Sequence, residues 1–246
     1  MTRFYAMRVL TTVCLTIFLP TLSHADTTNL LDYMNGNIHP PATSATVPPY
    51  NRAKQFGGWV DQDPLHPCYD TREMVLDREA DPNVSVTFKP PKNCTIDEGL
   101  WHEPYTGADV TSAADLQIDH VVPLALAYYA GAYAWKGPTR CTYANFIANG
   151  FHLRAVNGHE NVAKGDRGPD NYLPPNEADH CSYVSDWMKI KAIWQLTTTQ
   201  SEIDAILNVI NDENCDPSLL NMDSNELAKQ RLTASQPIAA CANFAD

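Results

Sequence analysis

The chain has 246 residues, 44% of them hydrophobic and 19% charged, which excludes a disordered tail and a polytopic membrane protein and leaves room for one or two globular domains. Its 17 Lys and Arg stand against 29 Asp and Glu, and the net charge of −12 argues against non-specific coating of nucleic acid or anionic lipid. A local basic site remains compatible with that balance.

Residues 1–25 read as an export signal. Arg3 and Arg8 supply a positive start, Val9 to Leu19 is a short apolar stretch, and Ser23-His24-Ala25 ends in the small-residue pattern that signal peptidase accepts. The apolar run falls short of the ~20 residues needed to span a bilayer, and no later segment qualifies. Cleavage after Ala25 removes two Arg and Cys14 and leaves 221 residues with a net charge of −14. The expected location is the periplasm or the medium, with no membrane association after cleavage.

Six cysteines remain: Cys68, Cys94, Cys141, Cys181, Cys215 and Cys241. An even set in an exported chain, with no CxxC pair, favours three disulfides over free thiols or a zinc knuckle. Fifteen pairings are open to six cysteines; the reading leans to Cys68 with Cys94 and Cys181 with Cys215, leaving Cys141 for Cys241.

In chain order, residues 26–52 form a Pro-rich arm, with Asn35-Gly36, Pro40-Pro41 and Pro48-Pro49 making turns and extended chain. From Gly57 to about Gly107 short β-favouring stretches such as Val84 to Phe88 alternate with Pro and Gly breaks, so irregular strands and loops are expected, with Trp59, Trp101 and Tyr105 packing there. Ala114 to Val122 predicts a strand, and Pro123 opens a helix at a permitted first-turn position. Phe151 to Val156 predicts a second strand, Asn157-Gly158 a turn, and 159–165 a helix stopped near Gly165. Residues 182–195 place Tyr183, Trp187, Ile190 and Trp194 on one helical face, and Thr199 with Glu202 is a capping box opening a further helix through about Ile210.

The sharpest chemical feature is Asp119-His120 at the end of an apolar strand, followed some forty residues later by Asn161 to Asp166. Adjacent strand residues point to opposite sides, so both can serve one point only if the strand ends there and the chain turns. Asp119 and the helix-borne Asn161 offer hard oxygens, with Asn157 a further candidate. An Asp-plus-Asn pair suits Mg²⁺ or a similar hard ion, whereas zinc favours His and Cys. Between Lys136 and Arg167 five basic residues oppose Glu160 and Asp166, a net +3 island in an acidic chain, where a phosphate could be held. The near-match His159-Glu160-Asn161-Val162-Ala163 to a zinc-protease HExxH motif fails because Ala163 cannot bind metal. His24, His39, His66, His102 and His180 have no ligand spacing.

IDHVVPLALAYYAGAYAW, then Arg140 with Tyr143-Ala144-Asn145-Phe146, then HLRAV, ENVAKGDRGPDNYLPP and Cys181-Ser182-Tyr183 with Trp187 and Lys191, together with upstream TREMVL and GLWHEPYTG, resemble the secreted bacterial branch of the HNH endonucleases over about residues 55–215. The resemblance implies an α+β fold with a ββα-metal (HNH-like) core at about 114–175, carrying additional helices and irregular strands and stapled by disulfides. It implies a single nuclease domain over 53–246 that hydrolyses phosphodiester bonds of DNA, with RNA a second candidate, at low sequence specificity. It implies His120 as general base, Asp119 and Asn161 as ligands of one divalent ion, Mg²⁺ or another hard ion such as Mn²⁺, and Arg140, Lys164 and Arg167 as phosphate-binding residues. No obligate protein partner is expected. One departure is His152, where many family members carry an Asn that orients the base; a ring nitrogen of His can donate in its place. A competing reading is a non-catalytic secreted binding domain that keeps the fold, with His152 its best support.

Overall fold

The computed structural model describes residues 26–63 and 68–245, so the expected export segment and His66 lie outside the described residues. In chain order the elements are β1 (Thr27–Asn29), α1 (Leu30–Asn35), α2 (Arg52–Gln55), α3 (Thr71–Glu79), β2 (Glu98–His102), β3 (Asp109–Ser112), β4 (Leu116–His120), α4 (Leu124–Tyr129), α5 (Gly137–Ala144), β5 (Leu153–Asn157), α6 (Gly158–Lys164), α7 (His180–Trp194), α8 (Gln200–Asp212), β6 (Asn221–Asp223) and α9 (Ser224–Ala234). The strands pair in twos, β1 with β6, β2 with β3 and β4 with β5, each pair antiparallel. The result is a mixed α/β fold of small sheets tied by three disulfides, Cys68–Cys94, Cys141–Cys241 and Cys181–Cys215, the pairing toward which the sequence reading leaned.

The β4–β5 hairpin is the centre. Its register sets Asp119 opposite Arg154 and His120 opposite Leu153. Because side chains alternate along a strand, Leu116, Ile118, Leu153 and Ala155 share one face and pack with Val75 and Leu76 of α3, Ile96 and Trp101. The other face carries Asp119 and Arg154 toward α6 and α7, where the larger apolar cluster lies. The outer edge of β5 is closed by side chains of α3: Arg78 donates to the Leu153 carbonyl at 2.7 Å, and Glu79 accepts from the Ala155 amide at 2.7 Å. Covering an edge in this way removes the open donors and acceptors on which another strand could pair.

Helix α6 follows β5 without a loop. Asn157 ends the strand and caps the helix, accepting from the His159 and Glu160 amides, and Gly165 stops it at φ 58°, a left-handed conformation that glycine adopts without a Cβ penalty. The capping box of Thr199 and Glu202 opens α8 as expected.

Two expectations need correction. Residues 26–52 are not a loose arm: β1 pairs with β6, and α1 buries Leu30 and Met34 in the main core. The region from 57 to 107 contains a nine-residue helix, α3, opened by an Asp70 cap, and Val84 to Phe88 forms only an isolated bridge from Phe88 to Ile96. The helix opened by Pro123 ends at Tyr129, followed by a 3-10 turn at 132–134. Among the described residues no helix is long and apolar enough to cross a membrane.

Arg154 joins hairpin to helix, donating to both oxygens of Asp179 at 3.1 and 2.9 Å, to Ser182 at 2.9 Å and to Asp186 at 2.5 Å, with all three charged groups buried. Breaking one side of a buried pair strands the remaining charges. Arg154→Met should cost about 3–5 kcal/mol in urea unfolding; a loss under about 1 kcal/mol would show that the network does not carry the junction of β5 and α7.

Candidate functional site

The C-terminal end of α5 organises the site. The last four carbonyls of a helix have no partner within it. Here Cys141 O accepts from Asn145 Nδ2 at 3.0 Å and Thr142 O from the Asn145 amide at 3.2 Å. Tyr143 O accepts from His152 Nε2 at 2.7 Å and Ala144 O from His120 Nε2 at 2.9 Å. Two imidazoles, His120 at the end of β4 and His152 just before β5, are thus anchored on consecutive carbonyls, and their rings meet edge to face at 6.4 Å.

The anchor fixes the tautomer of His120. A carbonyl can only accept, so Nε2 carries the proton and Nδ1 keeps a lone pair. Among the described residues Nδ1 has no hydrogen-bond partner, and it is not one of the buried unpartnered atoms. Burial holds the His120 imidazolium well below the usual histidine range, so the ring is neutral at neutral pH. On its flank the Trp59 indole stacks at 5.3 Å with planes 11° apart. Trp59 is held from both sides by Asn145, whose side chain accepts from the Val60 amide at 3.1 Å and donates to the Gly58 carbonyl at 3.1 Å.

Asp119 is 4% exposed and accepts from the Tyr105 hydroxyl at 2.5 Å and from Lys164 Nζ at 2.8 Å to each oxygen. Lys164 is fully buried and spends its remaining donor on the His120 carbonyl at 2.9 Å. Burial lowers the Lys164 pKa, and the facing Asp119 charge works against that. Tyr105 is pushed well above the usual phenol range by burial and by Asp119, so it stays a donor. Glu103 shapes the hairpin turn that delivers Tyr105, accepting from the Tyr105 and Thr106 amides.

Asp119, His120 and Asn161 line one cavity of about 340 Å³, with Tyr50, Arg52, Pro123 and Asp166 among its other walls. The strand ends at His120 and the chain turns, which lets neighbouring residues serve one space. Asn161 donates through Nδ2 to Gln117 at 2.8 Å, and its Oδ1 has no hydrogen-bond partner among the described residues. A carboxylate has about four lone-pair sites, so Asp119 retains capacity beyond Tyr105 and Lys164. One carboxylate and one amide oxygen beside water-accessible space fit a hard divalent ion that keeps several waters. Among the described residues no three His, Cys, Asp or Glu side chains gather as a metal cage.

Five sequence-based assignments take other roles. His152 is 1% exposed, sits among Tyr143, Phe146 and Trp194 behind His120 and does not line the cavity; burial pushes its pKa down to about 4. Arg140 is buried and donates to the carbonyls of Gln55 and Trp135, away from the site. Lys164 is committed to Asp119. Arg167 lies over the Tyr172 ring and donates to the carbonyls of Ala163, Lys164 and Asn171. Asn157 caps α6 and cannot also serve as a ligand. The +3 island is therefore largely internal: charge counting along the chain does not distinguish a solvated cation from one that neutralises a buried partner. Conversely, Arg52, Tyr50 and Trp59 were not assigned to the site by sequence; the only signal was their aromatic and basic character beside a Pro-rich stretch.

Asn145→Ala removes both bonds that hold the Trp59 segment and strands buried partners. At about 1 kcal/mol per bond plus the desolvation of what is left, urea unfolding should show a loss of about 2–4 kcal/mol; a loss below about 0.5 kcal/mol would refute the clamp.

No solved structure matches the chain. Over 162 residues it is 38% identical to an uncharacterized secreted protein of Arthroderma benhamiae, an alignment covering 66% of this chain and 74% of that protein. The family model described as GmrSD restriction endonucleases, C-terminal domain, matches residues 73–209, which include β4, β5, α6, Asp119, His120 and Asn161. With more than half its length inside that model, the chain belongs to the GmrSD restriction endonuclease C-terminal domain family, a family related to the HNH nucleases.

Proposed function

We propose that this protein is an exported, metal-dependent endonuclease that hydrolyses phosphodiester bonds of DNA, with RNA as second candidate substrate, at low sequence specificity. The nuclease domain spans residues 53–246 on the β4–β5–α6 unit as a ββα-metal core, preceded by an export segment at 1–25. Three disulfides and a relative named as secreted support export. The observation that carries the reading is the bare Nδ1 of His120, fixed by the Nε2 bond to Ala144 O, at the wall of the cavity that Asp119 and Asn161 also line.

In this mechanism Nδ1 takes a proton from a water as its oxygen bonds to phosphorus opposite the 3′ oxygen, whose bond to phosphorus breaks. The Ala144 carbonyl stabilises the imidazolium so formed and keeps the ring aimed. Asp119 and Asn161 would hold one hard divalent ion, Mg²⁺ or a similar cation; such an ion supplies stabilisation of the charge gathering on phosphate and leaving oxygen. Tyr105 and Lys164 orient Asp119, and the Trp59 face excludes water from one side of the base. His152 would keep the α5 end in place for His120, taking over the orienting work of an Asn.

The test is incubation of the full chain, produced in an exporting host with disulfides formed, with supercoiled plasmid, with Mg²⁺ or EDTA, beside His120→Ala. Mg²⁺-dependent cleavage is expected, with turnover in the variant lower by about 10²–10⁴-fold and binding nearly unchanged. No cleavage of plasmid or RNA with any hard ion would replace this reading by a non-catalytic binding domain. The acidic chain also implies few phosphate contacts, so log affinity should fall shallowly with log salt; a slope near −6 or steeper, as about six or more neutralised phosphates produce, contradicts a small footprint.

A further inference from the structure

We propose that Arg52 is the residue that grips the scissile phosphate, swinging its guanidinium off Trp59 onto the non-bridging oxygens; the inference rests on the endonuclease reading and extends it. A phosphodiester entering the cavity meets two carboxylates, Asp119 and Asp166. Asp119 is balanced by Lys164 from behind, but Lys164 is fully buried and has no donor left for a substrate. The other expected cations are committed as well, Arg140 to the Gln55 and Trp135 carbonyls and Arg167 to the end of α6.

Apart from His120, Arg52 is the one basic side chain on the cavity wall among the described residues. It is exposed, and among the described residues its side chain makes neither a hydrogen bond nor an ion pair; its contact is with the Trp59 ring, 5.2 Å from the centroid. That ring stacks by its plane on His120, so guanidinium and general base both lie against the one indole beside the space a phosphate would fill. The backbone beneath is fixed: Asn51 caps α2, and Arg52 O accepts from the Phe56 and Gly57 amides at 2.8 and 3.0 Å. A planar fork of N–H donors suits two phosphate oxygens at once, and an exposed cation–π contact is weak enough to be exchanged for a charged partner.

The experiment compares wild type, Arg52→Ala, Arg52→Lys and His120→Ala in two assays. In plasmid cleavage with Mg²⁺, Arg52→Ala should lose about 10²–10³-fold in kcat, as for removal of one donor to a developing oxyanion, with a smaller change in KM. Arg52→Lys should recover part of the loss, added methylguanidinium should recover part of it in Arg52→Ala, and thermal unfolding should not move. In EDTA, anisotropy of a fluorescein-labelled 20-nucleotide duplex should show the log–log salt slope of Arg52→Ala reduced by about 1 from wild type. Wild-type cleavage with Arg52→Ala within two-fold in kcat overturns the proposal and leaves the endonuclease reading intact. If wild type does not cleave, that reading fails, and an unchanged salt slope in Arg52→Ala then overturns the phosphate grip as well.

Discussion

Four carbonyls at the end of α5 are the constraint on which the site depends. Every helix must find partners for its last acceptors or leave them to water. In this protein those partners are the backbone and side chain of Asn145, His152 just before β5 and His120 from β4. An elementary requirement of helix termination thereby sets the tautomer of one imidazole, the position of a second and, through Asn145, the approach of the Trp59 segment. Because the acceptors are peptide carbonyls and not side chains, their spacing is set by the helix itself and cannot relax by rotamer change.

Charge follows a similar economy. The chain is strongly acidic, yet a carboxylate buried at the site needs a countercharge, since an uncompensated ion in low dielectric is costly. Lys164 answers Asp119, and Arg154 answers Asp179 and Asp186 on the same side of the hairpin. Cations that look available in the linear sequence are consumed internally. The basic side chain that reaches the cavity with no hydrogen bond or ion pair among the described residues is Arg52 of α2, far away in the chain.

Much of the architecture was legible in residues alone. The apolar stretch at 114–122 and the short strand read at 151–156 located both strands, Asn157-Gly158 and Gly165 bracketed α6, and the Thr199–Glu202 box located α8. Asp119 and His120 were readable because a polar pair terminating an apolar strand is costly unless it has partners or work to do. The α3 helix was missed because its mixed polar pattern has no clear apolar face; the Asp70 cap, Glu73, which accepts from the Ile96 amide, and the burial of Val75 and Leu76 hold it. The arm was misread because β1 is three residues long and takes its meaning only from β6 near the other end of the chain.

The residues alone were enough for the strand, strand and helix unit, for Asp119, His120 and Asn161 as its polar positions, and for an even cysteine set suited to three bridges. These rest on local periodicity, capping and composition, which neighbouring residues carry. Long-range packing, by contrast, set which nitrogen of His120 lacks a partner among the described residues, that His152 stands behind His120, that Arg140 and Lys164 are interior, and that Arg52 reaches the cavity from the N-terminal segment. Each of those depends on what a distant element places opposite a side chain, and neither burial nor the partner of a charge is encoded at the position that bears it.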